Sequence, residues 1–118
     1  MDQRFPREHR LKLKQEFDRV FDLGRRLHSR HFMVVAAPGP ELEHHRLGIS
    51  VGRKVGKAVT RNKIKRMVRE YYRTAVKNME LTSMPGGADF VVVVRPGAAE
   101  LVFADIVGEL ESCFRKLQ

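Results

Sequence analysis

The sequence predicts an α+β protein in which three helices pack against one small sheet, in the order helix, strand, strand, helix, strand, helix. In three segments apolar residues recur at steps of three and four, which is typical of helices with one buried face. Three other segments are short apolar runs or alternate with period two, as strands do. A chain of 118 residues is long enough for one hydrophobic core. We therefore expect a single-domain α-β-β-α-β-α sandwich over residues 1–118.

The chain begins with a basic segment and a short helix. The first 14 residues mix cations with scattered apolar residues and predict a partly extended arm. Phe17, Val20 and Phe21 then share one face of a helix predicted over residues 15–23, and Gly24 is typical of a helix end. Two rings on one helix face are more often core than binding surface, so the residues alone favour packing.

Two strands with polar connections follow. We expect Arg25, Arg26 and Arg30 to lie in a loop. Residues 32–37 (FMVVAA) predict a buried strand that ends at a Pro-Gly-Pro turn. We expect His44 and His45 to lie in a solvated hairpin loop, because adjacent histidines point in different directions and do not make a metal site.

The second predicted strand has one nearly bare face. Leu47, Ile49 and Val51 alternate with Gly48 and Ser50, so only one face carries large side chains. A bare face lets another surface approach the backbone closely. This strand and its neighbours could therefore form the floor of a cleft, and simple packing under a helix is the alternative.

The positive charge of the chain is concentrated in residues 46–77. This stretch holds eleven of the 23 Lys and Arg residues and a single acid, Glu70, whereas the rest of the chain is nearly neutral. From about residue 58 it predicts a helix with apolar residues on one face and cations with one amide on another. The apolar face consists of Ile64, Met67, Val68, Tyr71, Ala75 and Met79. A solvated helix usually mixes charge signs, so we expect the basic face to meet a nucleic acid.

The last third of the chain completes the predicted core. Residues 80–88 contain Pro and Gly and predict a loop, and residues 89–95 (DFVVVVR) predict a strand buried on both faces. Residues 101–117 predict a helix with acids outside its apolar stripe. That stripe consists of Phe103, Ile106, Val107, Leu110, Phe114 and Leu117. Cys113 is the only cysteine, which excludes an internal disulfide and fits a reducing cytoplasm.

Three classes of function are not expected from these residues. Residues 52–58 superficially resemble a phosphate-binding loop, but the glycine spacing is one residue short and Ala58 stands where a hydroxyl is needed, so we expect no nucleotide cofactor. The chain has no apolar run long enough to span a membrane and begins without a secretory signal. The acids are scattered, so we expect no catalytic side chains and no metal held by the protein.

The run GRKVGKAVTRNKIKRMVRE, at residues 52–70, resembles the signature of the protein subunit of bacterial ribonuclease P. The resemblance extends from Phe17 to the last helix. It implies a ribosomal-protein-like fold with a left-handed βαβ crossover around the basic helix. The usual rule predicts the opposite hand, so this feature rests on the resemblance alone.

The resemblance also implies a function: a protein cofactor that binds a catalytic RNA subunit and the 5′ leader of precursor tRNA, with Mg²⁺ held mainly by the RNA. The residues expected to bind RNA are Arg53, Lys54, Lys57, Arg61, Asn62, Lys63, Lys65, Arg66, Arg69 and Arg73. Those expected to line the leader cleft are Phe17, Phe21, Val35 and Ser50, where Val35 occupies a position that is aromatic in some members. A structural RNA-binding protein, such as a ribosomal component, and a small DNA-binding module remain alternatives.

Overall fold

The computed structural model describes residues 7–40 and 42–118, which fold around a four-stranded sheet. The helices are α1 (Lys14–Leu23), α2 (Ala58–Tyr71) and α3 (Phe103–Arg115), and the strands are β1 (Arg25–His28), β2 (Phe32–Pro38), β3 (Arg46–Val51) and β4 (Ala88–Val94). The predicted α+β class and all six predicted elements are confirmed. The basic arm predicted for the first 14 residues is described only from Arg7 onward.

The sheet has the strand order β1-β2-β4-β3. β2 is antiparallel to both β1 and β4, and β3 runs parallel to β4, to which α2 connects it. The hand of this β3-α2-β4 crossover stays a prediction. β1 was expected to be a loop, and that expectation was wrong. Its sequence, RRLH, has a single apolar residue, so its strand character comes from pairing with β2 and not from a local pattern.

The main core lies on the face of the sheet that α2 and α3 cover. Ile64 and Val68 of α2 and Ile106 and Leu110 of α3 are at most 1% exposed against the central strands. Burial of such apolar surface is the main source of stability. The thiol of Cys113 is also buried there, as a packed side chain, whereas Phe103 of the predicted stripe is 41% exposed.

On the opposite face of the sheet lies α1, together with the end of the segment before it. Val20 of α1 packs on Val35 and Ala37 of β2 and Val91 of β4, all fully buried, with Leu11 from the preceding segment. Gly24 ends α1 with extended and not left-handed backbone. A β-carbon on Gly24 would collide with the carbonyl oxygen of Val20 and with Val35, so the glycine allows the chain to turn closely from α1 into β1. Because α1 is short, the described residues leave part of this face accessible.

A π-turn at Tyr72–Val76 ends the basic helix. The N–H of Lys77 donates to the carbonyl of Tyr72 at 2.9 Å, which inserts one residue relative to α-helical spacing. Tyr72 and Val76 are therefore buried, and Ala75 is exposed. The predicted burial of Ala75 was wrong because its pattern assumed an uninterrupted helix.

The segment before β3 is more ordered than a solvated hairpin loop. β2 and β3 are not neighbours in the sheet, so the segment connects separated strands. His45 is 5% exposed, and its ring bonds the carbonyl of Met79 through Nε2 and accepts from the N–H of Ala88 through Nδ1 at 2.9 Å. His45 thus joins the ends of the loop that follows α2 to the sheet, contrary to the expectation of a solvated side chain.

Candidate nucleic-acid interface

The outer face of α2 presents cations and one amide to solvent. Ile64, Val68 and Tyr71 are buried on the inner face, which fixes the rotation of the helix about its axis. The residues of the helix that were predicted to bind RNA therefore point outward or to the side. Asn62, Lys63 and Arg66 are exposed, and Arg61, Lys65 and Arg69 are partly buried.

The turn before α2 adds cations to the same surface. Arg53 and Lys54 lie exposed in a short 3₁₀ turn (Arg53–Val55) that Val55 anchors in the core. Lys57 is the N-cap of α2, and the guanidinium of Arg61 donates to the carbonyl of Gly56 at 3.1 Å. The first N–H groups of a helix have no partner within the helix, so this corner favours anions.

Most of these charges are not compensated by acids. In the described part of the chain, none of the cations from Arg53 to Arg69 forms an ion pair with a carboxylate. Arg73 differs, because its guanidinium contacts Glu70 at 2.7 Å. The carboxylate of Glu70 holds the pKa of Arg73 above its usual value. The π-turn and this ion pair set Arg73 apart from the other predicted RNA-binding residues.

The expected cleft falls on the part of the sheet that lies beside α1. Residues paired across neighbouring strands point to the same face, and one such row consists of Ser50, Val93, Met33 and His28, the floor row. Met33 and Val93 are partly buried, and the two end residues are exposed. The rings of Phe17 and Phe21 are partly buried and border this row from the side of α1.

Val35 does not line the open part of the cleft. It lies in the adjacent row of the sheet, paired with Val91, and it is 0% exposed beneath α1. A side chain without exposed surface offers no contact to a ligand, so the assignment of Val35 to the cleft surface was wrong. Met33, two residues earlier on the same face of β2, occupies the floor instead.

A buried ion-pair network holds α1 on the sheet. The carboxylate of Asp89, on β4, is 2% exposed and accepts from the guanidinium of Arg46 at 2.9 and 2.7 Å. Arg46 also contacts Glu16 of α1 at 2.9 Å, and Arg19 of α1 contacts Asp89 at 3.3 Å. The hydrogen bond from Arg46 to Asp89 raises the pKa of Arg46 despite burial. Asp89 is the second residue of the otherwise apolar β4, and the strand pattern alone does not predict the two arginines that surround it.

A pocket of about 320 Å³ joins the cleft to the basic helix. It lies where Phe17 covers Gly48 and where Lys65 and Arg69 of α2 approach the segment before α1. Arg10 and Lys12 of that segment also line the pocket, and none of its described lining residues is an acid. Burial and the nearby charge of Arg10 lower the pKa of Arg69. Lys12, Lys65 and Arg69 concentrate positive charge around one opening, which favours an anionic ligand.

The residues of the first segment were not among the predicted site residues. Arg10 forms a parallel bridge with Leu47, and the N–H of Leu11 donates to the carbonyl of Leu47 at 2.9 Å, which extends the arm along β3. The excess of cations in the arm is the one feature of the sequence that indicates a role in binding an anion at this pocket. Their position beside α2 depends on tertiary pairing.

A larger pocket, of about 650 Å³, lies beside the loop that follows α2. It is lined by His9, His44, His45 and the loop after α2, and contains none of the predicted site residues. The rings of His9 and His44 stack with centroids 4.3 Å apart. Burial, and then the neighbouring His44, lower the pKa of His9.

Two further observations bear on the predicted absences. Among residues 7–40 and 42–118, no three His, Cys, Asp or Glu side chains cluster in a way that could hold a metal ion. In the same residues, no helix has the length and apolar character needed to cross a membrane.

Comparison with known proteins gives consistent relatives in sequence and in structure. The family model described as Ribonuclease P matches residues 5–118. The ribonuclease P protein component of Desulfovibrio desulfuricans is 39% identical over 116 residues, which cover 95% of this chain and 85% of the relative. That of Halalkalibacterium halodurans is 34% identical over 104 residues, covering 88% and 83%.

Solved structures of two such proteins share the fold. The RNase P protein of Staphylococcus aureus superposes with a TM-score of 0.81 at 32% identity and covers 92% of this chain and 94% of its own. The RNase P protein of Thermotoga maritima has a TM-score of 0.76 at 32% identity, with 92% and 97% covered. Sequence and fold thus indicate the same group of proteins.

Proposed function

The chain belongs to the ribonuclease P protein family, and on this basis we propose that it is the protein subunit that helps a catalytic RNA to remove 5′ leaders from precursor tRNA in the cytoplasm. Its partners are then the RNA subunit and the precursor. The protein contributes binding and positioning, and its own side chains do not carry the cleavage step.

The observation that carries this proposal is the pocket in which two surfaces meet. Lys65 and Arg69 belong to the basic face of α2, and Phe17 over Gly48 belongs to the cleft. A chain of nucleotides that leaves one surface can therefore enter the other without crossing an acidic region. A cofactor that holds both a folded RNA and a single strand needs such continuity.

The basic face of α2 is the proposed contact for folded RNA. Arg66 and Asn62 are exposed on it, and Arg53 and Lys54 extend it. Arginine forks bind phosphates through two parallel hydrogen bonds, and an amide both donates and accepts. Each phosphate neutralised releases counterions, so binding should weaken steeply with salt.

The cleft is the proposed contact for the leader. A single strand can place its bases against the exposed parts of Phe17 and Phe21 while its phosphates face the surrounding cations. Such stacking tolerates any base, which suits a leader of variable sequence. Ser50, exposed at one end of the floor row, can donate to a phosphate or sugar oxygen.

The cleavage chemistry belongs to the RNA in this proposal. Mg²⁺, held mainly by the RNA subunit, would supply the activation of water and the stabilisation of charge at the phosphate. The protein lowers the repulsion between the two RNAs, and so reduces the Mg²⁺ concentration that they need.

The test is cleavage of precursor tRNA by a bacterial ribonuclease P RNA at low Mg²⁺, with and without the protein. Stimulation that requires the 5′ leader is the expected result. Binding of RNA without stimulation of cleavage would contradict the proposal and would leave a structural RNA-binding protein. A preference for duplex DNA over both RNAs would instead indicate a DNA-binding module.

A further inference from the structure

Strand β1 closes the cleft at the end opposite to Ser50. Arg26 and His28 pair with Val35 and Met33 across the sheet, so both side chains lie on the cleft face. Both are exposed. Arg25, one residue earlier, lies on the other face, where its guanidinium donates to the carbonyl of Lys116 at 3.3 Å. The cleft therefore has a basic end that was predicted only as a loop.

Arg26 is held at this end by α1. Its guanidinium donates to the carbonyl of Phe21 at 3.2 Å and lies 5.8 Å from the centroid of the Phe21 ring. A guanidinium has five N–H donors, and this contact uses one of them. The side chain is thus fixed beside a ring of the cleft with donors left for an anion.

A second cation, Arg95, lies beside His28 at the same end of the cleft. Arg95, which follows β4, donates through Nη2 to Nδ1 of His28 and approaches the carbonyl of Ser29 at 3.5 Å. In the described residues, neither Arg26 nor Arg95 forms an ion pair with a carboxylate. We call Arg26, His28 and Arg95 the β1 cluster.

The floor row connects the β1 cluster to the cations of the α2 side. From β3 to β1 the row spans three strand spacings, about 14 Å. Arg53 and Lys54 follow β3 at one end, and the β1 cluster lies at the other. The middle of the row, Met33 and Val93, is apolar and partly exposed, as a surface for bases should be.

We propose that the single-stranded leader crosses the sheet along the floor row and leaves over β1, where Arg26 and His28 contact its backbone. The inference rests on the proposed function and adds a direction and an exit to it. The contact lies across the floor row from Arg53 and Lys54, so it involves only the part of the leader that is farthest from the basic face of α2.

The experiment measures affinity for precursor tRNAs whose leaders are lengthened one nucleotide at a time, using the protein assembled with the RNA subunit. The wild type should gain affinity with each nucleotide until the leader reaches β1. Arg26→Gln should bind the shortest leaders as tightly as the wild type. For the longest leaders its affinity should be about tenfold lower, as expected for the loss of one charge-assisted hydrogen bond. Arg26→Lys, which keeps the charge, should recover part of the loss.

Arg25→Gln is the matched control, because it removes the same charge from the same strand on the other face. It should follow the wild type at every leader length. Equal behaviour of Arg26→Gln and wild type along the whole series would overturn the inference, and so would an equal loss at all lengths. A wild type without any leader dependence would overturn the proposed function, and the inference with it.

Discussion

The ring of Phe17 lies against the backbone of Gly48, so that a β-carbon on Gly48 would come within 2.6 Å of the Cζ atom. The contact joins α1 to β3 and forms one wall of the pocket that adjoins Lys65 and Arg69. The bare face predicted for β3 is thus occupied, in part, by a ring of the cleft itself.

The variant Gly48→Ala should displace this ring and weaken the binding of leader-bearing precursor. Phe17→Ala should have a similar effect, on the order of 1–3 kcal/mol if the ring stacks on a base. Titration of precursor against mature tRNA measures the difference. Gly108→Ala is the control, because a β-carbon there meets nothing within 4 Å and an alanine favours the helix. If Gly48→Ala lowers only folding stability, the ring serves the core.

The cations of α2 and of the π-turn that follows it should differ in their contribution to RNA binding. Arg66→Ala should weaken binding and reduce the slope of log affinity against log salt by about one, because one phosphate contact is lost. Arg73→Ala should change the slope less, since Glu70 already neutralises that guanidinium. The two slopes, measured on the same RNA, check the prediction. Equal slopes for both variants would contradict it.

The network around Asp89 should decide whether α1 stays on the sheet. Asp89→Asn leaves Arg46 and Arg19 without their buried carboxylate and should reduce the free energy of unfolding by about 3–5 kcal/mol. Denaturant unfolding measures this loss. Glu70→Gln, which breaks the exposed pair with Arg73, should cost less than about 1 kcal/mol. A small effect at Asp89 would show that apolar contacts alone position the helix.

The stacked histidines should make stability depend on pH. Burial and His44 lower the pKa of His9 below its ordinary value of 6.5, so the unfolded chain binds this proton more readily than the folded one. The free energy of unfolding should therefore fall as the pH drops below about 6.5. Nearby Lys77 acts in the same direction, and Glu8 opposes it.

The variant His44→Asn should flatten this dependence, since it removes the stacked ring and its charge. Unfolding measured between pH 5 and 8 checks the difference between the two proteins. Carboxylates with a lowered pKa do not obscure it. The pKa of Glu16, for example, is lowered by N–H groups of Leu13 and Lys12 against the effect of burial, so its contribution is lost only at more acidic pH. If the free energy of unfolding depends on pH in the same way for the variant and the wild type, groups other than the His9–His44 pair cause that dependence.

The sequence predicted those features that follow from a local period. Ile64 and Val68 repeat at helical spacing, so the buried face of α2 and hence its basic face could be located. The signature at residues 52–70 identified the family that the comparisons show. β4 could be recognised because a run of four valines is a buried strand in most contexts.

The features that were missed depend on contacts between distant segments. β1 is a strand because β2 pairs with it, and Asp89 is tolerated in the core because Arg46 and Arg19 meet it there. His45 is buried by the loop after α2, which lies 34 residues further along the chain. The burial of Val35 follows from where α1 lies, which the strand pattern does not contain.

The outer edges of the sheet have a consequence for the free protein. An uncovered edge strand can pair with the sheet of another molecule and start aggregation. Here the edge of β3 is partly closed by the N–H of Leu11, and β1 is only four residues long and carries two arginines. Charges on a short edge strand discourage such pairing. The arginines of β1 thus also protect the free chain, and variants that remove them should be checked for self-association before their RNA affinity is compared.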